Sequence, residues 1–125
     1  MNLIARAALA AGLATFAAAT VSAQDAAKVD PKHYKVILDN SRVRVLRIHY
    51  GPHETSVMHS HPDGVVTYLS DGRMSFLLPG GKTIMSNGKR GQTIWAPGGP
   101  HKPTNLAGTP VDAVLVELKG GPARK

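Results

Sequence analysis

Three histidines in two separate segments are the residues of this chain best suited to chemistry. His59 and His61 are two positions apart, so in an extended strand both imidazoles project from the same face. A third, His101, follows a Pro-Gly-Gly-Pro segment further along the chain. Imidazole nitrogens are common ligands of divalent transition metals. The pair is therefore a candidate metal site, and His101 is a candidate third ligand. The alternative is that they serve hydrogen bonding or substrate binding alone.

Several other polar residues are close enough in sequence to join such a site. His53 has the parity of His59 in a regular strand and is an alternative fourth ligand, although the Gly-Pro pair before it favours a surface position. Glu54 and Asp63 are the nearest carboxylates. Glu54 has the opposite parity, and Asp63 lies in a turn, where aspartate usually caps the backbone. Asn105 is expected to make hydrogen bonds at a turn or strand end and not to bind metal.

The remaining candidates are interior residues and proton acceptors. We expect four large side chains to line the interior, as core or as pocket wall: Met58, Met74, Phe76 and Trp95. Besides water, the candidate general bases are His49, His53 and Tyr68. Because obvious bases are few, oxygen chemistry at a metal suits the sequence better than acid–base chemistry.

The first 23 residues are predicted to be a signal peptide. A single early positive charge, Arg6, precedes an apolar run from Ala7 to Ala19, and the segment ends in Val-Ser-Ala, which has the small residues that signal peptidase requires. We expect cleavage after Ala23 and a periplasmic or secreted protein. Stable membrane insertion is not expected, because the run is shorter than the roughly 20 residues that span a bilayer.

The composition narrows the classes of function. The 125-residue chain has a formal charge of +7, and the part after Ala23 keeps +6, spread along the sequence. Because aromatic residues are few, this charge favours a solvated surface with a mild attraction for anionic substrates over a nucleic-acid site. Cysteine is absent, which excludes thiolate catalysis and disulfides.

The chain from residue 34 to residue 118 is predicted to be one all-β domain. Short β-branched or alternating runs, separated by turns rich in Gly, Pro and Asn, predict strands. The predicted strands are 34–38, 42–50, 55–61, 65–69, 73–78, 82–85, 92–96, 101–106 and 111–118. Residues 24–33 are predicted to be a flexible lead-in and residues 119–125 a flexible tail.

Two of these strands carry further information. The last strand is apolar on both faces, which predicts a central position in its sheet. The second strand changes its alternation between Val45 and Leu46. This change predicts a β-bulge that turns the strand from one sheet to the other.

Two motifs resemble those of the cupin family of jelly-roll proteins. The first family motif contains two histidines one residue apart and a closing glycine, which His59, His61 and Gly72 match. Its opening glycine position holds His53 and its glutamate position holds Val65. The second motif is matched with one residue missing before its histidine, and the matching residues are Gly91, Pro97, Gly99, His101 and Asn105.

The resemblance implies a double-stranded β-helix, or jelly-roll barrel, with one metal ion inside it. In cupins the three histidines and the glutamate converge on one divalent ion. Here the resemblance leaves His59, His61 and His101 as ligands without the carboxylate. Three imidazoles suffice for iron, manganese, nickel, copper or zinc and leave open positions. Some cupin dioxygenases that act on thiols use three histidines and no glutamate.

The expected function follows from this resemblance. We expect a metal-dependent oxygenase that acts on a small anionic substrate, and an isomerase or lyase is the less favoured reaction. The alternative is a non-catalytic cupin that binds a small molecule or a metal. A third hypothesis is a barrel that serves only for dimerisation. Since cupins commonly pair through their sheets, a homodimer is expected.

Overall fold

Nine strands and one short helix make up the described part of the chain. The computed structural model describes residues 24–120 and, before them, only Gly12. The rest of the predicted signal peptide and the end of the predicted tail lie outside the described residues. The helix is α1 (Ala26–Val29), and the strands are β1 (Tyr34–Asp39), β2 (Val43–Tyr50), β3 (His59–His61), β4 (Gly64–Tyr68), β5 (Gly72–Leu77), β6 (Thr83–Gly88), β7 (Thr93–Ala96), β8 (Gly99–Asn105) and β9 (Val111–Leu118).

The strands form two antiparallel sheets. The five-stranded sheet has the order β1-β2-β9-β4-β7, and the four-stranded sheet has the order β3-β8-β5-β6. β9 lies in the centre of its sheet, as its two apolar faces predict. This arrangement confirms the predicted all-β jelly-roll barrel. Within residues 24–120, no helix has the length and apolar character needed to cross a membrane.

The hydrophobic core forms on the inward faces of the long strands. Its largest members come from both sheets, and they include Leu46, Tyr50, Tyr68, Met74 and Leu115. Large apolar and aromatic side chains from facing strands therefore close the barrel, and each buried aliphatic side chain of this kind contributes about 1.5–3 kcal/mol to the free energy of unfolding.

The four side chains predicted to line the interior have different positions. Met74 is buried, and Phe76 packs against the core cluster. Trp95 borders the interior, but it is 55% exposed. Met58 is 38% exposed, and the prediction that it lines the barrel is wrong. The predicted strand from residue 55 is shorter than expected, since regular pairing begins at His59 and Met58 belongs to the irregular segment before it.

The predicted bulge in β2 is wrong. β2 pairs with β9 without interruption, and the irregularity lies on β1, where Ile37 is the extra residue opposite Val45 and Leu46. The alternation only seems broken because Arg44 lies on the inward face with Leu46. Arg44 is directly opposite Glu117 on β9, and its guanidinium binds that buried carboxylate. Because an inward-facing residue is charged, the alternation of apolar and polar residues looks shifted in the sequence although the strand is regular.

Residues 24–33 are folded and do not form the flexible lead-in that the sequence predicts. Asp25 caps α1 by accepting a hydrogen bond from the Ala27 backbone N–H. Ala26 is fully buried, and Asp30 and His33 are buried as well. A small polar segment normally lacks the apolar surface to dock. This one is held instead by charged and polar partners on the barrel.

His53 occupies the position at which the family motif has glycine. The backbone at this position has a conformation that glycine adopts more easily than other residues. Its φ is +57°, in the left-handed region. In that region a Cβ costs about 1–2 kcal/mol. The His53 backbone N–H donates to the Ala107 carbonyl, which fixes the loop in this conformation.

We predict that His53→Gly raises the free energy of unfolding by up to about 1 kcal/mol, since relief of the left-handed strain exceeds the entropy that glycine adds to the unfolded chain. Equilibrium urea unfolding measures this change. The control is His53→Ala, which keeps the Cβ and should give no increase. A lower stability for His53→Gly than for His53→Ala would contradict the prediction.

Candidate metal centre

The structure brings the three predicted histidines together. His59 and His61 lie on β3, and His101 lies on the neighbouring β8, directly opposite His59. Each offers a ring nitrogen, and these three atoms lie within 4.8 Å of one another. The ring centroids are 4.8 Å apart for His59 and His61, 4.9 Å for His59 and His101, and 5.3 Å for His61 and His101. Cross-strand pairing and two-residue spacing together produce this triangle.

Hydrogen bonds on the far side of two rings set their tautomers. His59 Nδ1 is 2.9 Å from the Val57 carbonyl oxygen, and His61 Nδ1 is 2.8 Å from Glu117 Oε2. Both partners accept, so Nδ1 carries the proton in each ring and Nε2 keeps its lone pair. The Nε2 atoms of His59 and His101 are buried and have no hydrogen-bond partner. His59 therefore shows the pattern of a metal-binding histidine, with one nitrogen oriented by the protein and the other free.

The surroundings keep two of the rings neutral. Burial, reinforced by repulsion from His61, lowers the pKa of His59 to about 4. Burial also lowers the pKa of His101 to about 3, with further repulsion from His59 and His61. At neutral pH both rings are therefore in the form that donates a lone pair to a metal. The donor set suits iron, manganese, nickel, copper or zinc, because imidazole binds all of these ions.

Glu117 is the residue of this site that the sequence prediction missed. It lies on β9 in the same phase as Val111, Ala113 and Leu115, and its side chain is 2% exposed. The available signal was this phase, because a carboxylate on the inward side of a central strand needs partners. Its partners are His61 Nδ1 and Arg44 Nε, the latter at 2.6 Å from Glu117 Oε1.

Ion pairing makes the burial of Glu117 tolerable. Burial opposes its ionisation, but hydrogen bonds from His61 and Arg44 outweigh burial and hold the pKa of Glu117 below its ordinary value. Arg44 also donates to both carboxylate oxygens of Asp25, at 2.7 and 2.6 Å. These bonds raise the pKa of Arg44, so the guanidinium stays charged. The Nδ1 side of the His61 ring is therefore held by the carboxylate of Glu117, which is itself charged and hydrogen-bonded.

The other candidate ligands do not join the cluster. His53 is exposed in its loop. Glu54 accepts from His33 Nε2 at 2.9 Å and from the Gly51 backbone N–H at 2.8 Å. Asp63 accepts from the Gly98 N–H at 2.6 Å, so this bond joins it to a segment 35 positions away and not, as expected, to the backbone of its own turn.

Asn105 and the glutamate position of the family motif are also accounted for. Asn105 is fully buried and donates to the carbonyls of Gly51 and Thr109, at 3.0 and 2.9 Å, the strand-end role expected of it. Val65 does not border the large interior cavity of the barrel, whereas its neighbour Val66 does. The inward position of the motif is therefore apolar, and no carboxylate replaces the family's glutamate there.

A cavity of about 440 Å³ is bordered by two of the three histidines, His61 and His101. Its walls are mainly apolar, and none of the described residues that border it is Lys, Arg, Asp or Glu. The Phe76 ring lies 5.1 Å from the His101 ring.

Of the three candidate bases, Tyr68 borders the cavity, and its hydroxyl is hydrogen-bonded to Ser86 at 2.9 Å. His49 is exposed and paired with Asp112, and His53 does not border the cavity.

Comparison with solved structures gives the same fold. A cupin domain from Bordetella pertussis is 29% identical, with a TM-score of 0.64 over 70% of this chain and 92% of that one. A double-stranded β-helix protein from Klebsiella pneumoniae is 25% identical, with a TM-score of 0.57 over 72% and 78%. The polyketide cyclase RemF from Streptomyces resistomycificus is 22% identical, with a TM-score of 0.52 over 72% and 66%.

These likenesses and the strand order establish that the chain has the cupin fold, a double-stranded β-helix with a three-histidine cluster inside it. No protein-family model matches the chain, and no curated protein matches it. The cupin fold alone does not determine a reaction, which depends on the residues of the site.

We predict that Glu117→Ala lowers the free energy of unfolding of the metal-free protein by about 2–3 kcal/mol, because it leaves His61 Nδ1–H and Arg44 Nε–H without their buried acceptor, although Arg44 keeps its ion pair with Asp25. The matched control is Asp112→Ala. Asp112 also accepts from an arginine and a histidine between β2 and β9, namely Arg47 and His49, but those two side chains are about half exposed. Its loss should cost less than about 1 kcal/mol. Equal losses in urea unfolding would contradict this account.

Proposed function

We propose that His59, His61 and His101 bind one divalent transition metal and that the protein uses it to act on a small molecule held in the cavity. The observation that carries this proposal is the pair of buried Nε2 atoms of His59 and His101, which have no hydrogen-bond partner. A buried polar atom without a partner costs about 1–3 kcal/mol. A metal ion between the rings would satisfy both atoms at once, with His61 as the third ligand.

The cavity wall supports a ligand that is mostly apolar and carries one anionic group. Val66, Met74 and Phe76 are among the side chains that border the cavity and would contact such a ligand. Three neutral imidazoles leave a bound dication with its full charge, and the described part of the wall offers an anion no other cation. We therefore expect the anionic group to face the histidines and the apolar part to fill the barrel.

Oxygenation is the reaction we propose. A bound metal would supply a Lewis-acid centre and, where it is redox-active, a site for dioxygen chemistry. Near the histidines, the side chains of this protein offer hydrogen-bonding groups and few groups that could act as general bases. Burial raises the pKa of Tyr34 well above its ordinary value, so its hydroxyl, paired with that of Tyr50 at 2.7 Å, stays neutral beside the histidines.

Binding without turnover is the second candidate function. It is favoured by one observation: Tyr68, the candidate base at the cavity, has its hydroxyl already hydrogen-bonded to Ser86. A protein that captures a small molecule or a metal needs the same three histidines and the same apolar wall, and it needs no base.

We also propose that the protein is exported to the periplasm or secreted, on the sequence features of residues 1–23. Cleavage after Ala23 would leave intact every residue assigned to the site. When the full-length chain is expressed in a Gram-negative host, we predict that intact mass spectrometry of the periplasmic fraction finds a protein beginning at Gln24. A full-length protein confined to the cytoplasm would contradict this prediction.

We predict that the full-length protein binds about one equivalent of transition metal by elemental analysis and that His59→Ala, His61→Ala and His101→Ala each lose most of it, because two imidazoles hold a metal far less tightly than three. The controls are His49→Ala and His53→Ala, which remove exposed histidines outside the cluster and should keep the wild-type content. A wild type that takes up no metal after reconstitution would overturn the metal proposal.

Activity separates the two candidate functions. Oxygen consumption by the reconstituted protein, measured with apolar carboxylates such as naphthoates, should fall together with metal content in the three alanine variants if the protein is an oxygenase. If it is a binding protein, the wild type binds such carboxylates without consuming oxygen, and the variants lose affinity alone.

A further inference from the structure

The segment Gln24–His33, here called the N-terminal clamp, connects to all three residues of β3. We propose that the clamp positions His59 and His61 for metal binding, so that docking of the clamp and binding of the metal stabilise one another. This inference rests on the proposed metal site and adds a control to it. Three separate connections carry it, one to each residue of the strand.

The first connection is to the backbone between the two ligands. Ser60 N–H donates to the Gln24 carbonyl oxygen at 2.8 Å, and Asp25 forms a parallel bridge with Ser60. β3 is only three residues long and pairs with β8 on its other side. The clamp therefore completes the hydrogen bonding of a short strand that would otherwise be free to move along that edge.

The second connection leads to His61 through two charged groups. Asp25 accepts from Arg44 through both carboxylate oxygens, and Arg44 Nε donates to Glu117 at 2.6 Å. Glu117 in turn accepts from His61 Nδ1 at 2.8 Å. Each hydrogen bond in this series from Asp25 to His61 is charge-assisted, which makes it stronger and more directional than a neutral hydrogen bond. The angle of the His61 ring is therefore tied to the docking of Asp25.

The third connection leads to His59. Asp30 accepts a hydrogen bond from the Ser56 hydroxyl, and Ser56 Oγ is 3.0 Å from His59 Nδ1. Asp30 is also 2.6 Å from His33 Nδ1, while His33 Nε2 is 2.9 Å from Glu54. Carboxylates of Asp30 and Glu54 therefore lie at the two nitrogens of the His33 ring. Asp30 is thus fixed between the clamp and the barrel and orients His59 through Ser56.

The clamp carries no metal-binding atom of its own in the described cluster, so its role is positioning. Outer groups that orient metal-binding histidines contribute strongly to metal affinity. Coupling of this kind is reciprocal: if docking of the clamp favours the metal, the metal favours docking by the same factor. The barrel therefore binds metal most tightly when residues 24–33 are in place.

The test uses the full-length protein and Co²⁺, whose visible absorption reports both affinity and ligand geometry. Asp25→Asn breaks the charged connection to His61 but keeps a helix-capping side chain, and Ser56→Ala breaks the connection to His59. We expect each to weaken Co²⁺ binding by about 3-fold to 30-fold and to change the absorption spectrum. The control is Asp112→Asn, which alters an exposed arginine–carboxylate–histidine trio on the outer face and should change neither.

A double-mutant cycle tests whether Asp25 acts through Glu117. Glu117→Gln alone should weaken Co²⁺ binding, and adding Asp25→Asn to it should weaken binding by much less than Asp25→Asn does in the wild type, since both changes break one connection. Asp25→Asn and Ser56→Ala break different connections, so their effects should multiply. Multiplying effects for Asp25→Asn and Glu117→Gln would overturn the route to His61.

Hydrogen exchange of the wild type gives a reading that needs no variant. Co²⁺ should slow amide exchange across Ala26–Tyr34, although these residues do not touch the metal. Unchanged exchange in a protein that binds Co²⁺, or wild-type affinity in Asp25→Asn and Ser56→Ala, would overturn the clamp and leave the metal proposal standing. A wild type that binds neither Co²⁺ nor Zn²⁺ would overturn both.

Discussion

The pairing of β3 with β8 is the constraint on which the centre depends. His59 faces His101 across the two strands, and His61 faces Gly99. Side chains alternate along a strand, so a slip of one residue would turn His101 away from the other two rings. Gly99 has a φ of +126°, a conformation that a side chain rarely adopts, at the point where the chain has one residue fewer than the family motif. The glycine therefore lets a shortened connection keep the histidine in register.

Charge near the centre is arranged differently from the family pattern. A cupin glutamate ligand would bring a negative charge into direct contact with the metal. In this chain the inward position is Val66, and the nearest buried carboxylate, Glu117, stands behind His61. Glu117, Asp25 and Arg44 form a trio of net charge −1. This charge lies behind His61, to which Glu117 is hydrogen-bonded, and not on a metal ligand. A metal bound here would keep its charge for a substrate, and the carboxylate would fix the orientation of the His61 ring that holds it.

Much of the architecture could be predicted because it depends on local pattern. Alternating runs and turn residues located the strands to within a few residues, and the spacing of His59 and His61 predicted their common face. The features that were missed depend on distant partners. Arg44 has the pattern of a solvent-facing residue until Glu117, 73 positions away, is known to face it. Residues 24–33 have the composition of a mobile segment, and they are ordered by contacts with Arg44, Ser56 and Ser60, which local sequence does not reveal.

The folding of residues 24–33 against the barrel separates two boundaries that usually coincide. All nine described strands begin at Tyr34 or later, so a chain trimmed to that residue would keep every pairing between strands. It would also lose Asp25 and Asp30, the carboxylates at the outer ends of the connections to His61 and His59. Under the proposal made above, such a shortened protein would hold His59 and His61 less firmly, and it would also lose Ala26 from the hydrophobic core. The boundary of the paired strands is therefore not the boundary of the contacts that support the histidines.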